Sequence, residues 1–290
     1  MKSCILSVQN IKTLLILIVF FAFSFIGKAQ QFKPNTEVGV LLGASYYLGD
    51  LNTTHFDESS VAAGLIIRKN IDRRFSYKAE LLYLNLAADD RNSNNLDTNR
   101  GLHFRSPIYE LSGQIEFNFL PYQPGNSLYT WTPFVYTGVS LFHFNPQAEN
   151  KNGEWVDLQP LGTEGQGSQS FVERQKYSLI QFAIPIGGGI KIAVNPSFNI
   201  ILEYGVRKTF TDYLDDVSKT FVGGSANRYP IEMEQGDAIE MSDPRAVLNP
   251  SLAHSQGDQR GSSNDNKDWY SFAGITLSFT LNNNTKGCDY

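Results

Sequence analysis

The residues from Ile108 to Phe119 alternate between two solvents. Tyr109, Leu111, Gly113, Ile115, Phe117 and Phe119 fall on one side of an extended strand, and Glu110, Ser112, Gln114, Glu116 and Asn118 on the other. Successive strand side chains point to opposite faces, so one face suits lipid and the other water. That is the pattern of a barrel strand between hydrocarbon and a polar interior. A soluble sandwich alternates in the same way, so the remainder of the chain has to decide.

Seven further segments follow the same period. Glu37 to Leu48 sets Val38, Val40, Leu42, Ala44 and Tyr46 against Gly39, Gly43 and Ser45. Ser60 to Lys69 sets Val61, Ala63, Leu65 and Ile67 against Ala62, Gly64 and Arg68. In Phe75 to Ala87, Tyr77, Ala79, Leu81 and Tyr83 oppose Ser76, Lys78 and Glu80. Leu179 to Ala193 and Phe198 to Lys208 continue it, with Lys191, Glu203 and Arg207 on the polar side. Trp131 to Phe144 is apolar on both faces, which leaves its orientation open, and Trp269 to Leu281 is the last. Pro185 lacks a donor N–H and marks a bulge or the membrane boundary.

The links supply a second signal. Asn70 to Arg74, Leu120 to Thr130 and Val194 to Ser197 are short; Gly49 to Ser59, Ala88 to Pro107, Asn145 to Ser178 and Thr209 to Asp268 are longer and alternate with them. Outer-membrane barrels have short periplasmic turns and long outer loops. The expectation is an all-β chain: an eight-stranded antiparallel transmembrane β-barrel with short periplasmic turns and long extracellular loops, or ten strands if loop 209–268 hides a hairpin. The second half of that loop is rich in small and polar residues, while Tyr213, Leu214, Val217 and Phe221 in its first half suit packing onto the rim.

Export is written at the other end. Lys2 and Lys12 precede an apolar run from Leu14 to Ile26 and the small-residue ending Gly27-Lys28-Ala29, which reads as a cleaved signal peptide over 1–29. The run is shorter than the roughly 20 residues of a spanning helix. The leader holds Lys2, Lys12 and Lys28 and no acid, so the chain's 24 basic and 29 acidic residues become 21 and 29 in the exported part, residues 30–290. An acidic exported chain is a poor partner for nucleic acid. Cys4 leaves with the leader, so Cys288, in a tail over 282–290, is expected either to stay a free thiol or to join another chain.

The interior of an eight-stranded barrel is just wide enough for its side chains to fill. The inward charges are Arg68, Lys78, Lys191 and Arg207 against Glu80, Glu110, Glu116 and Glu203, and their signs balance. An acid–base cluster of Glu80, Glu110 and Glu203 is one reading; an ion-pair network that closes the lumen is the favoured one. No cofactor and no metal is expected. His55, His103, His143 and His254 show no metal spacing. His103 with Ser106 and Asp89 or Asp90 could be drawn as a catalytic group, but polar loops supply such neighbours by chance. Asp212, Asp215 and Asp216 do not match a calcium-loop spacing and suit a solvated or turn-capping role.

Four runs carry a family resemblance: Gly43 with Tyr47-Leu48-Gly49-Asp50-Leu51; Phe104 to Glu110; Pro160 to Gly167; and Thr211-Asp212-Tyr213-Leu214-Asp215-Asp216-Val217. Together they resemble the Bacteroidota outer-membrane family that includes PorG, a type IX secretion component. The resemblance implies a small non-enzymatic barrel, set in outer-membrane lipid, that meets a periplasmic ring of a lipoprotein and its partner subunit in a machine also linked to gliding. Gly274, Leu277 and Phe279 resemble the C-terminal recognition signal of outer-membrane barrels, although Phe272 stands where a polar residue is usual. The expected function is therefore anchoring or organising a type IX secretion apparatus. The alternative is a general structural barrel or narrow pore, and the third reading is a surface acyltransferase or protease.

Overall fold

The computed structural model describes residue 32 and residues 34–92, 100–223, 229–234, 236–261 and 267–281. The expected signal peptide and the tail with Cys288 lie outside these residues. Eight long strands form the wall: β1 (Asn35–Leu48), β2 (Ser60–Asn70), β3 (Phe75–Asp89), β4 (His103–Asn118), β5 (Trp131–Phe144), β8 (Ile180–Ala193), β9 (Phe198–Thr209) and β10 (Trp269–Thr280). A short hairpin, β6 (Gln147–Glu149) and β7 (Trp155–Asp157), belongs to the long loop after β5.

All pairings among the eight strands are antiparallel, and the order β3-β2-β1-β10-β9-β8-β5-β4 is closed by β3 on β4. Closure leaves no free edge in the wall, which is what a sheet in hydrocarbon requires, because an unpaired backbone group has no water to turn to there. The one extra hairpin pairs with β4 through Arg105↔Gln147. Among its described residues, loop 209–268 contributes no hairpin to the barrel and makes one isolated bridge, Thr220↔Gln259.

The alternating faces are realised in register. Leu81, Leu111 and Leu141 lie side by side across β3, β4 and β5 and are 54%, 60% and 42% exposed, while Glu80 and Glu110 beside them are buried. At the short-turn end the outer wall carries the ring pairs Phe75–Phe117 at 5.2 Å and Phe198–Phe279 at 5.2 Å; toward the long-loop end it carries Tyr83–Tyr109 at 5.3 Å. Phe75 and Tyr83 are eight residues apart on β3, roughly 26 Å along a strand, the scale of a membrane's apolar band. Leu277 and Phe279 face outward beside Val40 and Val38, and Gly274 sits against Gly43.

The structure orients one strand that the sequence left open, removes one of two readings of Pro185 and corrects the placement of Tyr46. Strand β5 turns Phe134, Tyr136, Phe142 and Phe144 inward and Trp131, Val135, Val139 and Leu141 outward. Both faces are apolar because large aromatic rings fill the lumen at this strand, so hydropathy held no orientation. Pro185 makes no bulge: pairing of β5 with β8 skips from Thr137↔Ile186 to Ser140↔Ala183 with the register unchanged, and Pro185 still pairs with Arg207. Tyr46 has the parity of the lipid face but is 1% exposed. The loop after β1 folds over it, with Phe56 at 4.8 Å between rings and His55 Nδ1 at 2.9 Å from its hydroxyl, which also meets Tyr204 Oη at 2.6 Å.

The apolar core is concentrated in the long-loop half of the lumen. Leu84, Leu86, Ile108, Phe142, Phe144 and Phe272 come from the wall, and Leu51, Leu102, Leu158, Leu214, Val217 and Met241 from the loops. The loops thus enter the mouth and share one core with the strands.

Candidate functional site

Two polar layers lie along the axis. The one nearer the short turns is centred on Glu116. Arg68 donates to it from Nε at 2.7 Å and Nη2 at 3.1 Å, Lys191 Nζ donates at 2.6 Å, and Arg68 Nη1 reaches Glu37 at 3.0 Å. Glu37 also accepts from Asn70 at 2.7 Å and Ser278 at 3.1 Å. The second layer holds the five residues expected to form the lumen network. Lys78 Nζ lies 3.2 Å from Glu203 and 3.6 Å from Glu80; Arg207 bonds Glu110 at 3.1 Å and Glu80 at 3.2 Å; Tyr270 donates to Glu110 at 2.6 Å.

The charged side chains in these ion pairs are at 0% exposure. Glu37 corrects the expected balance of four against four: with it, five carboxylates face four cations. Its parity with Gly39, Gly43 and Ser45 was readable, but it is the first residue of the segment read as a strand, which in the structure already begins at Asn35. Tyr136 completes the filling. A Cβ on Gly205 would lie 2.0 Å from the Tyr136 hydroxyl, so the ring occupies space that only glycine leaves open.

The long loops build a cap over this network. Helix α1 (Leu158–Leu161) ends at Gly162, whose φ of 63° is the left-handed conformation glycine adopts at helix ends. The chain then delivers Thr163 and Glu164 to the centre. Glu164 Oε1 accepts the backbone N–H groups of Ser218 and Lys219, both at 2.9 Å, and Arg260 Nη1 at 3.2 Å. Asp216 accepts from Thr163 and from Tyr177 at 2.6 Å. Arg260 also donates to the Asp216 carbonyl at 2.7 Å and to the carbonyls of Ser242 and Met241, at the end of helix α2 (Ala238–Ser242).

Burial raises the Asp216 carboxyl to about 6, against the opposing pull of Arg260. Burial alone would lower Arg260, but Glu164 and Asp216 hold it above the usual guanidinium value.

At the wall, Tyr47 donates to Asp215 at 2.6 Å, lies 3.0 Å from Asp268 and stacks edge-on to Phe104 at 5.0 Å between ring centres. The four runs that carry the family resemblance therefore meet in one place. Asp215 and Asp216 are 1% and 0% exposed, so they are not solvated as expected; Asp215 does cap a turn, accepting from Val217 N–H at 3.0 Å. Leu214, Val217 and Phe221 are buried as anticipated.

The other sequence candidates do not assemble. His103 lies on the outward parity of β4 and Ser106, at 0% exposure, on the inward one, so they project from opposite faces and cannot hydrogen-bond as nucleophile and base. Asp89 is held by Arg91 and Asp90 by Arg100. His55 meets Tyr46 and His254 meets Asp243, while His143 faces the outer wall. Among the described residues no group of His, Cys, Asp and Glu has a metal-binding arrangement.

The closed wall, apolar exterior and ion-paired lumen define a transmembrane β-barrel of the outer-membrane type. Residues 12–160 match the family model described as a domain of unknown function, DUF6089, and the chain belongs to that family. Similar solved structures include Neisserial surface protein A, at 7% identity and TM-score 0.40 over 85% of this chain and 98% of that one. The N-terminal β-barrel domain of OprF from Pseudomonas aeruginosa is 10% identical at TM-score 0.36, covering 86% and 100%. A major outer membrane protein from Thermus thermophilus is 11% identical at 0.37, covering 85% and 99%. No curated protein sequence matches the chain.

Proposed function

We propose that this protein is a non-enzymatic structural barrel of the outer membrane, closed to solutes, with its short turns in the periplasm and its cap on the cell surface. The observation that carries the reading is the filled axis. Two ion-paired layers at 0% side-chain exposure stand below a cap that shares the wall's core. Purified barrel inserted in planar bilayers is expected to give no steady conductance, and stable single-channel steps would replace this reading with a narrow pore.

A second reading is that the barrel anchors a type IX secretion apparatus by contact with its periplasmic ring. It rests on the four runs that resemble that family, which meet in the cap at the end of the barrel opposite the ring contact. It is also supported by the turn between β4 and β5, the longest at its end, which holds Leu128 at 80% exposure. Deleting the gene and comparing secreted proteins tests it, together with co-purification of ring subunits, which Leu128→Glu should weaken. Unchanged secretion and no ring subunit in the purified material would leave the structural barrel alone.

A further inference from the structure

We infer that Asp215 and Asp268 share one proton through the Tyr47 hydroxyl, and that this proton latches the cap to the strand ends, so that the cap loosens as pH rises.

Three groups converge on the Tyr47 oxygen. The Asp50 N–H donates to it at 2.8 Å, Asp215 Oδ2 lies at 2.6 Å and Asp268 Oδ1 at 3.0 Å. A phenol has one proton to give and two lone pairs to receive. One lone pair takes the Asp50 N–H, and the phenolic proton goes to the nearer carboxylate, Asp215. Asp268 at 3.0 Å then meets an oxygen with no further proton to offer. The arrangement is complete when Asp268 carries a proton of its own and donates it to the remaining lone pair. With both carboxylates ionised, two buried anions would compete for one hydroxyl.

Among the described residues no cation forms an ion pair with either carboxylate. Asp215 and Asp268 are each 1% exposed. The charged groups facing them are Asp50 from the loop after β1, Asp212 from the cap segment, Arg100 and Arg260. Both cations are engaged elsewhere, Arg100 with Asp90 at 2.9 Å and the Asp50 carbonyl at 2.8 Å, and Arg260 with Glu164 and Asp216. Burial first, and then neighbouring acids, Asp50 for Asp215 and Asp215 for Asp268, hold both carboxyls well above the usual range. A carboxyl raised by folding contributes stability at low pH that is lost as pH climbs through its folded value.

The position gives the proton its leverage. Tyr47 belongs to β1 and Asp268 directly precedes β10, while Asp215 lies in the cap segment. The Leu214 N–H donates to Asp268 at 2.9 Å and the Val217 N–H to Asp215 at 3.0 Å. Loss of the proton to solvent turns a bridge between wall and cap into a repulsion between them.

Amide hydrogen exchange on the full chain folded in lipid vesicles, corrected for the intrinsic pH dependence of exchange, tests the latch. Protection of the amides over 211–217 should fall at least tenfold, the size of one pKa unit, as pH is raised beyond the Asp216 transition near 6 over the range in which the strand amides hold. Asp268→Asn keeps a hydrogen-bonding side chain without a titrating proton and should show no such fall. Asp215→Asn provides the same comparison should Asp268→Asn not fold. Constant protection in the unmodified protein, or an equal fall in the asparagine variants, overturns the inference.

Discussion

Glu116 holds Arg68 by both carboxylate oxygens, at 2.7 and 3.1 Å, inside a wall that admits no solvent to either side chain. Removing one partner of such a pair leaves the other charge buried without compensation, which costs about 3 to 5 kcal/mol. Glu116→Gln also strips Lys191 of its contact, so it should lower stability by at least that amount in urea titrations of the vesicle-bound barrel. Glu203→Gln should cost less, because Lys78 keeps Glu80 at 3.6 Å. Equal costs would show that the two layers are not organised as described.

The lipid face is tested by placing a charge on it. Val139 is 68% exposed and pairs with Gly113, midway along β4 between Tyr109 and Phe117. Val139→Arg should cost roughly 2 to 4 kcal/mol, the value for a cation at the bilayer midplane, and Leu111→Arg, one pleat nearer Tyr109, should cost less. Gln114→Arg enters the lumen beside Glu80 and should perturb insertion less than Val139→Arg. Heat-modifiable gel mobility and unfolding midpoints give the ranking, and no difference between the faces would remove the membrane orientation.

Gly205→Ala should destabilise the barrel by about 1 to 3 kcal/mol through overpacking. Its Cβ would sit 2.0 Å from the Tyr136 hydroxyl and 2.4 Å from Arg207 Nη1. Tyr136→Phe removes the nearer atom, so the double variant should be more stable than the sum of the single effects predicts. Strict additivity in that cycle would mean that the ring does not occupy the space over Gly205.

Asp216 adds a pH dependence of its own. Burial raises its carboxyl to about 6, above an unfolded value of about 3.9. A folded value above the unfolded one makes the associated stability present below about pH 4 and lost as pH rises through 6. Protease sensitivity of the cap should therefore increase across that window, and Asp216→Asn should flatten that part of the profile. A profile that steepens only above neutrality would assign the dependence to other groups.

Much of this protein is legible in its sequence for one reason: a barrel wall is a local pattern. Each strand must alternate lipid and lumen at a period of two, so Leu111 and Glu110 declare their faces without reference to any other strand, and alternating short and long links set the direction of each return. The charges Lys78, Glu80, Glu110, Glu203 and Arg207 follow from the same parity, and the barrel brings them into one layer. Where both faces are apolar, as in β5, the pattern carries no orientation, and only the fit of Tyr136 over Gly205 sets it. Tyr46 shows the complementary limit, since parity puts it in lipid and a loop of its own chain covers it. The cap lay furthest from reach. Glu164, Asp216, Arg260, Tyr47 and Asp268 come from separate loops and strand ends, and no period links them. Their polar side chains look solvated one by one, and become a buried site only because closure of the barrel brings the four long links to a single mouth.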